Sequence, residues 1–237
     1  MINNREVSFI TDIKWSGMGN FLCFVYDDGH AIIGSVDGNR CWGNDILPKL
    51  YKVEWSPDES FILFCIKNTN AIVFSYSGYQ IGDMFIPPHL LNYLIVDILW
   101  WSNSMIEKKS IVEDHHLLLA FENGTFLLYH SHQDLSPIEI KTHFSVINKV
   151  LWSVNGETIM ISGCVKEEKA LKDDICFYSN SGVFLQEMKV PNKITSMAWD
   201  SHGTKMALTT ESFILFCLVK PNYKWTYFNE TLVYTYM

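Results

Sequence analysis

VEWSPDESFILFCIKNTNAIVFSYSGYQIGDM, residues Val53 to Met84, decides how the chain folds. It holds two apolar runs, FILFCI and AIVFSY, each too short for a stable helix and rich in Ile, Val, Phe and Tyr. Residues of that kind suit a pleated, half-buried strand. Ser-Pro-Asp before the first run, Lys-Asn-Thr-Asn between the two and Ser-Gly after the second are turn chemistry. A strand ending in Trp55 precedes them, and QIGDM supplies a short fourth strand. The stretch therefore predicts four antiparallel strands joined by tight turns.

The same context recurs along the chain. IKWSGMGNFLCFVY surrounds Trp15, ILWWSNSM surrounds Trp100 and Trp101, VLWSVNGETIMISG surrounds Trp152, and MAWDSHGTKMALTT surrounds Trp199. From Trp15 to Trp199 there are 184 residues in four intervals, averaging 46. Units are expected to start near Trp15, Trp55, Trp101, Trp152 and Trp199. Four short strands at a period of 40–50 residues mark the blade of a β-propeller. One blade cannot bury both faces of its sheet, so neighbours must stack. The expectation is an all-β propeller of about five blades, residues 1–237 forming a single partial domain. SNSMIEKKSIVEDHH lengthens the third unit, and KEEKALKDD (Lys166 to Asp174) reads as a solvated loop inside the fourth.

With 237 residues, 48% of them hydrophobic and 19% charged, the chain can bury a core and is not disordered. A formal net charge of −8 argues against nucleic acid as a partner. Six cysteines without a C-x-x-C pair, five of them in or beside apolar runs, predict reduced, buried thiols. MINNREVSF lacks the apolar segment of a signal peptide, and LLNYLIVDILWW is too short to insert in a membrane.

The units resemble divergent WD repeats: WSGMGNFLCFVYDDGHAIIGS and WSPDESFILFCIKNTNAIVFSY keep the strand–turn–strand–turn–strand core, while the Gly-His and Trp-Asp signatures are mostly absent. MINNR (Met1 to Arg5), GSVDGNR (Gly34 to Arg40) and PNYKW (Pro221 to Trp225) are more specific. They resemble the first propeller of the WD-repeat subunit family of intraflagellar transport complex A, from end to end of the chain. A tubby-like family shares the GSV turn and is the weaker resemblance. Members of the first family carry about two more units upstream and continue into a second propeller, so the resemblance implies an open, five-blade part of a seven-bladed ring. It also implies a non-catalytic scaffold in retrograde ciliary transport, cilium assembly and ciliary entry of membrane proteins. The implied partners are the other propeller and helical-repeat subunits of that complex and cargo adaptors, in cytoplasm, cilium and basal body. The alternatives are an adaptor in a ubiquitin ligase or vesicle coat, a tubby-like protein, or a propeller enzyme.

Residues that could carry chemistry have structural readings. Glu113, Asp114, His115 and His116, with His130, His132 and Asp134 downstream, have metal-ligating side chains but no zinc spacing, and no metal site or cofactor is expected. Asp27-Asp28 and Asp173-Asp174 are neighbours in turns rather than carboxylates facing one pocket. The sequence motifs of phosphate, dinucleotide and nucleophile-elbow sites are missing. A propeller enzyme would need charged side chains recurring at equivalent strand positions near the axis, and none are expected. The strand-end tryptophans are assigned to packing within and between blades. In GSVDGNRCWG, HAIIGS is the third strand of its unit, VDGNR a turn and CWGNDI the fourth strand. Arg40, at the rim, and Trp225, outside the tryptophan register, remain as partner contacts.

Overall fold

The computed structural model describes residues 8–46, 49–66, 70–101, 117–165, 173–219 and 223–236. Strands β1 (Ile10–Trp15), β2 (Phe21–Tyr26), β3 (His30–Ser35) and β4 (Arg40–Asp45) pair antiparallel in chain order as sheet 1. Sheet 2 is β5 (Leu50–Trp55), β6 (Phe61–Ile66), β7 (Ala71–Ser75) and β8 (Gln80–Asp83); sheet 3 is β9 (Ile95–Trp100), β10 (Leu117–Phe121), β11 (Thr125–Tyr129) and β12 (Ile138–Lys141). Sheet 4 is β13 (Val146–Trp152), β14 (Thr158–Cys164), β15 (Asp173–Ser179) and β16 (Phe184–Lys189). Sheet 5 has only β17 (Ile194–Trp199), β18 (Lys205–Thr210) and β19 (Ile214–Leu218). β20 (Tyr223–Phe228) and β21 (Thr231–Tyr236) pair with each other as a separate hairpin, so the fifth unit departs from the four-strand expectation.

Three details correct the sequence reading. Asp173 and Asp174, read as the end of a solvated loop, open β15, and Asp173 is buried. The third unit ends its first strand at Trp100, not Trp101. Arg40 opens β4 instead of closing the turn before it. Residues 102–116, which include Glu113, Asp114, His115 and His116, and residues 166–172 lie outside the described residues.

First strands share one apolar pattern: Ile10, Ile13 and Trp15; Leu50, Val53 and Trp55; Ile95, Ile98 and Trp100; Ile147, Val150 and Trp152; Ile194, Met197 and Trp199. The first two residues of each set are three apart, a spacing that points to opposite faces of a regular strand. Every first strand has a register shift between these two positions, for example between Leu50 and Lys52 or between Ile147 and Lys149. The bulge takes up one extra residue and returns both side chains to the same face.

That face packs on the preceding sheet. Leu50, Val53 and Trp55 bury against Cys23, Val25, Ala31 and Ile33 of sheet 1. Three more clusters join sheet 2 to sheet 3, sheet 3 to sheet 4 and sheet 4 to sheet 5. Each fully buried aliphatic or aromatic side chain contributes about 1.5–3 kcal/mol gross, so these face-to-face contacts hold the sheets in series. First strands of neighbouring sheets touch one another, and fourth strands form the exposed outer edges.

Among the described residues no cluster joins sheet 5 to sheet 1. Ile13 is 47% exposed, whereas its counterparts Val53, Ile98, Val150 and Met197 are buried. At the far end Phe216 is 81% exposed, whereas Ile33, Val73, Leu128 and Phe177 at the same register position are buried. The five sheets form an open arc, with one uncovered face at each end.

Candidate interaction surface

The inner strands carry a charge pattern that the sequence reading missed. Three residues before the strand-end tryptophan stand Asp12, Lys52, Asp97 and Lys149 in sheets 1 to 4, and Ser196 in sheet 5. Charged side chains therefore do recur at equivalent inner-strand positions, which corrects the expectation of none. Lys52 Nζ lies 2.9 Å from Asp97 Oδ1, tying sheet 2 to sheet 3. Lys14 Nζ lies 2.7 Å from Glu54 Oε2, and the Val53 amide donates to Asp12 Oδ2 at 3.0 Å, both tying sheet 1 to sheet 2. Burial pushes the Glu54 carboxyl above its usual range, with the Lys14 ammonium opposing. Among the described residues, these carboxylates are engaged by ammonium or amide groups of a neighbouring sheet. That is the chemistry of a glued wall rather than of a paired acid and base.

Turns add a second tie. The residue four after the tryptophan has positive φ in sheets 1, 2, 4 and 5; it is glycine at three of these and Glu59, φ 60°, in sheet 2. Glu59 is buried and reaches back to sheet 1, accepting from the Met18 amide at 2.7 Å and from Asn20 Nδ2 at 3.1 Å. Those bonds outweigh the left-handed strain, about 1–2 kcal/mol for an L-residue. Burial pushes the Glu59 carboxyl up, and the bonds from Ser16, Asn20 and Met18 bring it below the usual carboxylate range.

The indoles divide by location. Trp55 is buried, stacks on Phe21 at 6.1 Å and donates Nε1 to Lys14 O of the preceding sheet. Trp101 donates to Val154 O of the following sheet, and Trp152 donates to Gly156 O of its own turn. Trp15 is 57% exposed because no described residue plays the part for it that sheet 1 plays for Trp55.

Arg40 and Trp225, expected as partner contacts, stand on β4 and β20. Arg40 is exposed, its guanidinium folded over Gly43 of its own strand. Trp42, two residues on, donates Nε1 to Tyr76 O, and Asn44 Nδ2 donates to Gly78 O, so the rest of β4 is committed to sheet 2. Trp225 pairs through its backbone with Tyr234 in the terminal hairpin; its side chain lies outside the described residues.

Other candidates resolve into local roles. Asp27 and Asp28 accept from the Phe9 amide and from Ser8 Oγ and the His30 amide, closing the β2–β3 turn. Asp173 accepts from Asn148 Nδ2 and from the Ile194 amide, a tie between sheets 4 and 5. Asp134 accepts from the His130 and Ser136 amides, and His132 packs on Phe61. No group of three or more His, Cys, Asp or Glu side chains is placed to hold a metal ion among the described residues. The crevice between Tyr51, Asn70, Leu90, Ile95 and Phe121 has room for about one water molecule. All six cysteines are free; Cys23, Cys65, Cys164 and Cys176 are buried, Cys217 is half-buried and Cys41 is exposed. No helix among the described residues is long and apolar enough to cross a membrane.

Sheets stacked face to face around a wall of first strands define a β-propeller of WD-repeat type. Residues 1–220 match the family described as WDR35/TULP4 N-terminal, a β-propeller. The chain belongs to that family. It is 35% identical over its whole length to human WD repeat-containing protein 35, and 34% identical to the mouse protein. Human tubby-related protein 4 is 21% identical over 89% of the chain. The chain spans 20% of the length of WD repeat-containing protein 35 and 16% of tubby-related protein 4. Among solved structures, a chain of the mitotic checkpoint complex superposes with a TM-score of 0.70 at 14% identity, covering 98% of this chain and 65% of that one. The Dos1 propeller does so with a TM-score of 0.64 at 13% identity, covering 85% and 53%. These likenesses show the fold alone.

Proposed function

We propose that the chain is a non-catalytic propeller scaffold of intraflagellar transport complex A, acting in retrograde ciliary transport, cilium assembly and ciliary entry of membrane proteins. The observation that carries this reading is 35% identity over the full chain to human WD repeat-containing protein 35. The inner wall supports it, because polar groups there join sheet to sheet. The partners are the other propeller and helical-repeat subunits of that complex and cargo adaptors, met in cytoplasm, cilium and basal body. Arg40, exposed beside a β4 strand otherwise committed to sheet 2, is a rim contact, and Trp225 is a second contact in the terminal hairpin.

Affinity purification of the tagged protein from ciliated cells tests this reading. Transport-complex subunits are expected, and Arg40→Glu should reduce their recovery without changing the melting temperature. Recovery of ubiquitin-ligase or vesicle-coat subunits in their place would overturn it.

A further inference from the structure

The four junctions between sheets differ in the chemistry of their apolar side chains. Among the described residues, no methionine is buried between sheets 1 and 2 or between sheets 3 and 4, and Met84 alone is buried between sheets 2 and 3. Between sheets 4 and 5 stand Met160, Met197 and Met206, all buried, with Met188 packed half-buried against them. Met206 pairs with Cys217 across β18 and β19, and the Cys217 thiol donates to Met188 Sδ at 4.0 Å. Cys217 is also half-buried, so solvent reaches the edge of the junction at Met188 and Cys217.

Sheet 5 depends on this junction. Among the described residues it shares a core cluster with sheet 4 alone. Lys14–Glu54 ties sheet 1 to sheet 2 and Lys52–Asp97 ties sheet 2 to sheet 3, whereas sheet 5 has Ser196 at the wall position and no such pair among the described residues. Its strand-end tryptophan is also unsatisfied. Trp55 and Trp152 donate Nε1 to backbone carbonyls, but Trp199 Nε1 is buried without an acceptor. A buried donor left unpaired weakens the closed junction, and separation of sheet 5 returns that N–H to water.

We propose that this junction is a reversible oxidation switch, in which hydrogen peroxide converts Met188 to its sulfoxide and sheet 5 separates from sheet 4. The Met188 sulfur attacks one oxygen of the peroxide, forming the S–O bond as the O–O bond breaks. The proton on the transferred oxygen passes to the departing hydroxide, leaving sulfoxide and water. Sulfur loses two electrons and the peroxide gains them. The flexible apolar thioether becomes a polar group, which no longer suits a contact lined by Ile175, Phe177, Met206 and Leu208. Separation uncovers Met197 and Met206 to the same reaction. The junctions that join sheets 1 to 4 hold one methionine among the described residues, Met84, and it is buried, so they stay closed. Methionine sulfoxide reductases return the thioether.

Peroxide titration of the 237-residue protein, followed by peptide mass spectrometry and hydrogen exchange, tests the switch. Met188 should be oxidised before Met160, Met197 and Met206. Amide exchange in β17–β19 should then rise at least about tenfold, with that of β5–β8 unchanged. Methionine sulfoxide reductase should restore the protection. Met188→Leu, a swap that packed cores tolerate, should keep sheet 5 protected at the same dose, and Cys217→Ser should respond as the unaltered protein does. Met18, 70% exposed, is the internal control for dose. Four results would overturn the proposal: Met188 intact when Met18 is fully oxidised; exchange in β17–β19 unchanged once Met188 is the sulfoxide, its oxygen then being taken by Trp199 Nε1 inside a closed junction; a full response in Met188→Leu; or a response lost in Cys217→Ser, which would make the thiol the reacting group.

Discussion

Trp55 and Trp15 occupy the same register position in consecutive sheets and have opposite surroundings, so one substitution made at both measures whether the arc is open. Trp55 is buried, stacked on Phe21 and bonded to Lys14 O. Trp55→Ala removes a large buried side chain, leaves a cavity between sheets 1 and 2 and loses one hydrogen bond. Such a change costs about 3–5 kcal/mol. For a chain of this size each kcal/mol lowers the melting temperature by about 2–4 °C, so Trp55→Ala is expected to melt about 6–20 °C below the unaltered protein. Trp15→Ala removes a side chain that is mostly in water and should cost no more than about 0.5 kcal/mol, under about 2 °C. Urea unfolding followed by circular dichroism gives both free energies, provided the m-values agree. If Trp15→Ala destabilises the protein as much as Trp55→Ala, the outer face of sheet 1 is covered in solution and the reasoning fails.

A glycine pair makes a parallel comparison. Gly38 and Gly78 both have positive φ, but Gly78 lies under the Trp42 ring while Gly38 faces open space. Gly38→Ala should therefore cost only the left-handed strain, about 1–2 kcal/mol, and Gly78→Ala more, as read by urea midpoints. Replacing Asp97 by Ala strands Lys52 in the wall and should cost about 1–3 kcal/mol; a double-mutant cycle with Lys52→Ala should return a coupling energy, and additivity of the two changes would dismiss the ion pair. Acid tests Glu59. Its folded carboxyl lies below its unfolded range, so its contribution is complete above the unfolded value near 4.3 and is lost as pH falls through the folded one. Stability measured from pH 6 to pH 3 should fall less steeply in Glu59→Gln, and identical profiles would refute the assignment.

Strand number, turn positions and the tryptophan period are written in the local chemistry of short β-branched and aromatic runs between Asp, Asn, Ser and Gly, which is why the propeller units were legible. The adjacent Trp100 and Trp101 were not separable by composition. What settles the register is the bulge, which brings Ile95, Ile98 and Trp100 onto one face. The alternating Asp12, Lys52, Asp97 and Lys149 are visible as letters about 40–50 residues apart. Their signs acquire meaning only when the first strands stand side by side. GSVDGNRCWG shows the same division: its turn was readable, but the contact of the half-buried Trp42 with the turn of sheet 2 was not.

The sequence by itself determined that this chain is all-β and built from one repeated unit. That information is local, because strand propensity and turn conformation depend on near neighbours. Only the tertiary structure decided which faces are covered. Ile13 and Val53, or Phe216 and Ile33, are interchangeable as residues and occupy equivalent positions, yet one of each pair is buried and the other exposed. Burial belongs to the presence of a neighbouring sheet, and a strand does not encode whether that neighbour is there.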